Sequence, residues 1–264
     1  MAEKSFLLSL ALLPLVLLAA ACGGEGRTTL RVLAASSLTE AFEDVARAFE
    51  SENAGVKVVL DFGGSQRLRS QLEFGARADV FASADHRQMD ALIKAGLIAG
   101  TPADFASNAL VVIAMPDGLV GELLDLVRPG AKLVLAHQNV PVGSYSRQVL
   151  RNLAQDDGLG LGGRFDEDVL ANLVSEETNV RNVAQKVALG EVDAGIVYQT
   201  DAAAAQAEGD FRIIPIPQAA NVKARYPIAV LRDASEVDWA QAFVRFLVSE
   251  EGQSRLQAHG FGPP

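Results

Sequence analysis

The sequence predicts an α/β fold built on a mainly parallel sheet. Apolar, strand-like runs alternate with amphipathic helical stretches from Arg31 onwards, and this alternation is typical of parallel sheets covered by helices. Hydrophobic residues make up 49% of the chain, an ordinary fraction for a globular protein. About 240 residues follow the N-terminal leader described below, enough for one large α/β domain or for two lobes of about 120 residues each.

Apolar, β-type runs define the predicted strands, and they are residues 30–34, 56–62, 80–84, 110–114, 132–136, 194–198, 211–215 and 228–231. The first run precedes a predicted helix over 38–52, in which Phe42 and Phe49 share one face. The second run precedes a predicted helix over 66–74. The alanine run 202–205 favours a helix over a linker, because alanine is the best helix former.

No polar linker divides the chain. A two-lobed chain would therefore cross between its lobes through strand-like segments, for which 108–113 and 225–230 are the candidates. Two such crossings would make the first lobe discontinuous. The cleft between the lobes would then be the natural ligand site.

The N-terminus carries an export signal. Lys4 precedes an apolar run from Phe6 to Ala21 that is shorter than the roughly 20 residues a bilayer core requires. The small residues before Cys22 resemble a bacterial lipoprotein box, in which the cysteine is lipidated and becomes the mature N-terminus. An ordinary secretory signal with an incidental cysteine is the alternative. Because Cys22 is the only cysteine, the folded part has neither a disulfide framework nor a thiol catalyst.

The net charge of −10 argues against nucleic acid and anionic membrane surfaces as partners, since both require a basic face. It also repels small anions at long range. An oxyanion ligand would therefore depend on short-range dipoles and hydrogen bonds, because the net field fades over about 8 Å at physiological salt.

Two serines follow predicted strands at the point where a helix begins. Ser37 ends the turn after the first strand, and Ser65 follows two glycines after the second. Helix N-termini present unpaired N–H groups to an anion, and a serine hydroxyl can donate to the same oxygen. Taken alone, Ser37 also fits a helix N-cap with Glu40 completing a capping box. The pair favours an anion site.

Catalytic and metal alternatives find little support in the sequence. Asp79 and Asp85 flank a predicted strand that would hold their carboxylates roughly 20 Å apart, and each is placed to cap a turn or helix. Neither serine has a base beside it in the sequence, nor a nucleophile elbow, since the histidines are isolated. No metal-ligand spacing is present. The three tyrosines could serve a ferric site, but tyrosines are more often partly buried with a bonded hydroxyl.

The second half contains two further turns that lead into helices. The segment 139–145 is interpreted as a turn before a helix from Ser146, and the segment 176–185 contains another loop-to-helix start. Tyr198 falls at the carboxyl end of the 194–198 strand, the end that faces the ligand crevice in open α/β sheets.

Seven motifs now stand in order: AASSLTEAF at 34–42, FGGS at 62–65, GARADVFASAD at 75–85, VPVGSY at 140–145, NVR at 179–181, DAGIVYQTD at 193–201 and YPIAV at 226–230. With them, nearly all of the mature region closely resembles the periplasmic molybdate-binding proteins of ABC importers. The resemblance implies a two-lobed, type II periplasmic-binding-protein fold. It divides the chain into a signal peptide (1–21), a tether (22–28), lobe 1 (29–107 plus 226–264) and lobe 2 (108–225).

The resemblance also implies a ligand set and a setting. The oxyanion would be held by the hydroxyls of Ser37 and Ser65, by the backbone N–H groups of Val142 and Val180, and by the hydroxyl of Tyr198. No catalytic residue, cofactor or cation site is implied. The protein would be a monomeric, lipid-anchored receptor outside the cytoplasm that delivers its ligand to the membrane permease of the transporter.

This ligand set suits a fully deprotonated tetrahedral dianion. None of the five positions carries a carboxylate, and a phosphate site would require an acceptor for the ligand's proton. Sulfate differs mainly in size and stays an alternative, and tungstate cannot be separated from molybdate by sequence. A serine-dependent hydrolase of anionic esters is the alternative from another class. Arg67, Arg181 and Arg225 lie close to site motifs and either supply charge behind the ligand donors or face solvent.

Overall fold

The protein, described here from a computed structural model, contains two five-stranded sheets, each flanked by helices. The structure describes residues 27–264. The strands are β1 (Thr28–Ala35), β2 (Val56–Gly63), β3 (Val80–Ala82), β4 (Ile98–Asn108), β5 (Leu110–Ala114), β6 (Leu133–Ala136), β7 (Leu173–Glu177), β8 (Ala194–Tyr198), β9 (Arg212–Pro215) and β10 (Ala224–Leu231). The helices are α1 (Thr39–Glu52), α2 (Ser65–Glu73), α3 (His86–Lys94), α4 (Pro141–Gln155), α5 (Phe165–Ala171), α6 (Val180–Ala188), α7 (Gln199–Glu208), α8 (Val237–Val248) and α9 (Glu250–Ala258).

The two sheets share one topology. The first has the order β2-β1-β3-β10-β4 and the second β7-β6-β8-β5-β9. In each, three neighbouring strands are parallel, and the fourth, β10 or β5, is antiparallel to both of its neighbours. Four of the five strands therefore run in one direction, which confirms the predicted mainly parallel α/β architecture.

The chain passes between the sheets twice. It leaves the first sheet at Asn108, enters the second at Leu110, and returns between Pro215 and Ala224. We call the first sheet with its helices lobe 1 and the second sheet with its helices lobe 2. The boundaries at 107/108 and 225/226 stay a prediction, and the predicted signal peptide, Cys22 and most of the tether lie outside the described residues.

Two strands were missed by the sequence analysis. Strand β4 contains Gly100 and Pro102 and therefore lacks the regular apolar run that marks a strand in a sequence. Its pairing with β10 is also irregular, with two register shifts. Strand β7, Leu173–Glu177, lies at a sheet edge and buries no residue fully. Edge strands carry polar residues because one side faces water.

The predicted start of the helix at Ser146 is wrong. Helix α4 begins at Pro141, with Val140 as its N-cap. Proline suits the first helical position because its φ is already helical and its missing N–H is not needed there. The turn assigned to 139–145 is consequently the first turn of the helix, which places the N–H of Val142 at a helix N-terminus.

An aromatic cluster anchors α1 and α8 in lobe 1. The ring of Phe49 lies 5.4 Å from that of Phe243 and 6.3 Å from that of Trp239, both edge-on. Such tilted aromatic pairs contribute more than their buried area alone. These contacts hold the C-terminal half of α1 in place, and the first turn of the same helix faces lobe 2. Among residues 27–264, no helix has the length and apolar character needed to cross a membrane.

Candidate functional site

A small cavity of about 10 Å³ lies between the two lobes. Its volume is below the roughly 300 Å³ at which pockets for drug-sized ligands begin, so it suits a ligand of a few atoms. All five positions implied by the resemblance line it. The lining residues are Ala35, Ser36, Ser37, Gly63, Gly64, Ser65, Ala84, Val140, Pro141, Val142, Val180 and Tyr198.

Ser37 belongs to a single 3-10 turn, Ser36–Leu38, between β1 and α1. Its side chain is buried, and its Oγ lies 3.1 Å from the Oη of Tyr226 on β10. The N-cap interpretation of Ser37 is wrong, because Leu38 occupies the N-cap position of α1 and no side chain caps that helix. The turn inserts one residue between the serine and the helix, which frees the hydroxyl for the cavity.

Ser65 is the first residue of α2 and is also buried. Its Oγ accepts a hydrogen bond of 3.1 Å from the backbone N–H of Ala84. That contact fixes the position of the oxygen and leaves the hydroxyl hydrogen for another acceptor.

Gly64 brings lobe 1 against lobe 2. A Cβ built on this glycine would lie 2.4 Å from the backbone oxygen of Thr178, a distance that no real side chain tolerates. A glycine therefore permits the two backbones to meet beside the cavity.

Val142 and Val180 lie in the first turns of α4 and α6. First-turn N–H groups have no carbonyl partner within their own helix, and the helix dipole makes them favourable donors to an anion. The side chain of the N-cap residue Asn179 accepts from the N–H of Asn182 at 3.0 Å, so it leaves the N–H of Val180 free of the cap. Lobe 2 thus supplies two helix N-termini.

Tyr198 ends β8 and is 1% exposed. Within the described part of the chain, its buried Oη has no hydrogen-bond partner. Burial raises the pKa of Tyr198 well above its ordinary value, so the phenol stays protonated and can donate. A buried hydroxyl without a partner costs about 1–3 kcal/mol, a cost that a bound acceptor would remove.

The site offers donors and no charged acceptor. Four residues with hydroxyl groups and the N-termini of α2, α4 and α6 line the cavity, and no charged side chain belongs to the lining found among residues 27–264. Such a set can hold a small dianion through hydrogen bonds alone.

Arg181 joins the two lobes beside the cavity. Its Nε donates to the backbone oxygen of Ser36 at 3.2 Å, and its Nη2 pairs with Glu40 of α1. Further contacts cross the cleft, among them those from Gln66 to the Thr178 oxygen at 2.8 Å and from Arg87 to the Asn139 oxygen at 2.9 Å. These hydrogen bonds hold the lobes in a closed arrangement.

The other two arginines flagged in the sequence lie outside the cavity lining. Arg67 donates to the Phe62 oxygen at 2.9 Å and lies 3.6 Å from Asp61. Arg225 lies 3.7 Å from Asp104. Arg67 therefore holds the end of β2, and Arg225 belongs to an ion pair on the β4–β10 edge.

The structure gives the candidate acids and histidines structural contacts. Asp79 accepts from the backbone N–H groups of Arg31 and Ser235 at 2.7 and 2.8 Å, and Asp85 caps α3. His86 pairs with Asp104 at 2.7 Å. Among residues 27–264, no group of three or more acidic, histidine or cysteine side chains could hold a metal ion.

Sequence reasoning gave Tyr226 no role beside Ser37; it was noted in the YPIAV motif and as one of the three tyrosines that could serve a ferric site or be buried with a bonded hydroxyl. The hydroxyl of Tyr226 lies within hydrogen-bond distance of the Ser37 hydroxyl, although the two residues are 189 positions apart in the sequence. Tyr226 lies in the buried run of β10 that follows the exposed Arg225, but no local signal identifies its partner.

The fold and this donor site define a solute-binding receptor. The model of the bacterial extracellular solute-binding proteins matches residues 30–262, and the chain belongs to this family. It is 38% identical to the molybdate-binding protein ModA of Mycobacterium tuberculosis, over 91% of this chain and 87% of the relative. It is 32% identical to ModA of Escherichia coli, over 91% of both chains.

A solved structure agrees on the fold. The periplasmic molybdate-binding protein of Azotobacter vinelandii superposes with a TM-score of 0.74 at 24% identity, over 89% of this chain and 99% of that chain. The comparisons confirm the resemblance and the two-lobed fold predicted from the sequence. Because these relatives are named as binding proteins, the chain is a binding receptor and not an enzyme, and its family acts outside the cytoplasm.

Proposed function

We propose that this chain binds molybdate, and also tungstate, between its lobes and delivers the oxyanion to the permease of an ABC transporter. The unpartnered Tyr198 hydroxyl is the observation that carries the proposal, because it lies buried beside the same cavity as Ser37 and Ser65. The names of the two ModA relatives support the choice of ligand.

The donor set favours a fully deprotonated dianion. Molybdate carries no proton at neutral pH, so it can accept from every hydroxyl and N–H group in the cavity. A protonated phosphate would need an acceptor, and an acceptor carboxylate is missing from the lining among the described residues. A sulfate-like anion remains the competing ligand that the experiment below distinguishes.

Binding would stabilise the closed arrangement of the lobes. Ser37 and Ser65 belong to lobe 1, whereas Val142, Val180 and Tyr198 belong to lobe 2. An anion that contacts both sets has higher affinity for the closed form than for an open one, and a ligand shifts a conformational equilibrium only through such a difference. The permease could recognise this closed form.

The remaining parts of the proposal rest on the sequence. Cys22 would carry a lipid anchor that holds the receptor at the outer face of the cell membrane or on its periplasmic side. The receptor would act as a monomer, without a cofactor and without contact to nucleic acid. The acidic net charge supports the last point.

Thermal unfolding with four anions tests the proposal. Molybdate and tungstate should raise the melting temperature, sulfate should do so weakly and phosphate should not. Ser65→Ala should weaken molybdate binding by about 1.5–3 kcal/mol, the value of a hydrogen bond to a charged group. Ser51→Ala is the matched control, because the Ser51 hydroxyl caps the end of α1, donating to the Ala48 oxygen at 2.7 Å, and does not line the cavity.

Stabilisation by sulfate or phosphate without molybdate would overturn the choice of ligand. Equal molybdate affinities of the wild type and Ser65→Ala would remove Ser65 from the site. Turnover of a phosphate or sulfate ester that disappears in Ser37→Ala would instead support the hydrolase.

A further inference from the structure

Asp201 is a buried carboxyl group close to the candidate site. It lies in the first turn of α7, three residues after Tyr198, and its side chain is fully buried. Its Oδ1 lies 3.0 Å from the Nε of Arg181. The Nε–H, however, is aligned on the Ser36 oxygen, and neither carboxyl oxygen has an aligned hydrogen bond among the described residues.

Burial disfavours the negative charge of Asp201 more than its one cationic neighbour favours it. Arg181 of α6 faces it, and Glu40 of α1 shares the same guanidinium from the other lobe. Burial raises the pKa of Asp201 from 3.8 to about 7; Arg181 opposes this increase and Glu40 adds to it. The carboxyl group therefore changes its charge near neutral pH.

The other elements packed around Asp201 contribute neutral or exposed groups. Tyr198 on β8 and Tyr226 on β10 interact with it electrostatically, and burial keeps both phenols protonated. A side cavity beside Asp201 is lined by the apolar side chains of Met115 and Phe211 and by the exposed Asp210. Arg181 is consequently the cation that faces Asp201 among the described residues that line this cavity.

We propose that Asp201 is a positioning residue for oxyanion binding, which acts through Arg181 and makes the affinity for the dianion depend on whether its own carboxyl group is protonated. This inference rests on the proposed function. Arg181 follows Val180 directly and contacts the turn that carries Ser37. When Asp201 gains or loses its charge, the net charge of the Arg181–Asp201 pair therefore changes beside donors from both lobes.

The sign of the effect follows from the charges. Ionised Asp201 neutralises the guanidinium and repels an incoming dianion, whereas protonated Asp201 does neither. The dianion therefore binds more tightly when Asp201 is protonated. By linkage, the bound dianion raises the pKa of Asp201, and binding near neutral pH takes up protons.

Calorimetric titration of the full chain with molybdate at pH 6 and pH 9 tests this inference. We expect the dissociation constant to be about three to ten times larger at pH 9, which corresponds to a pKa that the bound dianion raises by about half a unit to one unit. Asp201→Asn keeps the shape and removes the titration. Its affinity should be nearly independent of pH and should equal that of the wild type at pH 6.

Asp210→Asn is the matched control, since it removes a carboxylate that lines the same side cavity but is exposed to water. It should keep the pH dependence of the wild type. Titration of the wild type at pH 7.5 in two buffers of different ionisation enthalpy should show proton uptake, a result that needs no variant to fold.

Binding that is independent of pH in the wild type, without proton uptake, would overturn the inference and leave the proposed function intact. The same pH dependence in Asp201→Asn as in the wild type would assign the effect to another group and also overturn it. Absence of molybdate binding at every pH would overturn the proposed function and this inference together.

Discussion

The Oγ of Ser37, in the turn after β1, and the Oη of Tyr226, on β10, lie 3.1 Å apart, and both side chains are buried. Burial raises the pKa of Tyr226 above its ordinary value, so its phenol remains a donor. When Tyr226 donates to the Ser37 oxygen, the serine hydrogen is available for a ligand in the cavity. This contact orients one of the five proposed donors.

Tyr226→Phe should therefore weaken molybdate binding without removing a group that touches the ligand. The expected loss is about 0.5–1.5 kcal/mol, the usual value of one neutral hydrogen bond, and calorimetric titration measures it. Ser51→Ala is again the control, because the Ser51 hydroxyl donates to the Ala48 oxygen at the end of α1 and does not line the cavity. Equal affinities of Tyr226→Phe and the wild type would show that Ser37 is oriented without Tyr226.

Tyr198→Phe should affect binding and stability in opposite directions. It removes a donor to the anion, so affinity should fall by about 1.5–3 kcal/mol. It also removes a buried hydroxyl without a partner among residues 27–264, so without ligand the variant should unfold at the same or a higher denaturant concentration. A variant that loses stability and keeps its affinity would show that the hydroxyl serves the fold and not the ligand.

Gly64→Ala should prevent closure and leave the lobes folded. The backbone at Gly64, with φ −60° and ψ 131°, accepts alanine, but the new Cβ would meet the Thr178 oxygen of the opposite lobe at 2.4 Å. We expect at least tenfold weaker binding and a larger radius of gyration in small-angle scattering with ligand present. Gly55→Ala is the control, since its Cβ would meet only Trp239 at 3.8 Å. Unchanged affinity of Gly64→Ala would contradict the proposed closure.

The pH dependence of stability should differ between the wild type and Asp201→Asn in the absence of ligand. The folded-state pKa of Asp201 is raised from 3.8 to about 7, so the native state binds more protons than the unfolded state between these values. The wild type should therefore lose stability relative to the variant as pH rises from 4 to 8, by up to about 4 kcal/mol. Urea unfolding at several pH values measures this difference, and parallel profiles would contradict it.

The sequence predicted most of the fold because its local signals agree with the final structure. Eight strands and the helices after Ser37 and Ser65 followed from apolar periodicity and small-residue turns. Strand β4 was not predicted, because its pairing with β10 is set by the tertiary structure and its Gly100 and Pro102 give no strand signal. The start of α4 was placed too late in the sequence, because Pro141 can open either a turn or a helix.

The candidate site was predictable only in part. Its five positions came from the resemblance, and the structure places them around one cavity. Tyr226 and Asp201 were not assigned a role, because the contacts that give them one form only in the folded chain. The contact between Ser37 and Tyr226 spans 189 residues, and the one between Arg181 and Glu40 spans 141.

The location of bound molybdenum tests the central claim most directly. Crystals grown with molybdate, measured at the molybdenum absorption edge, should show one anomalous peak per chain in the cavity between the lobes. The oxygens around it should lie within hydrogen-bond distance of the hydroxyls of Ser37, Ser65 and Tyr198. A peak elsewhere on the molecule, or a fully occupied cavity without molybdenum, would contradict the account.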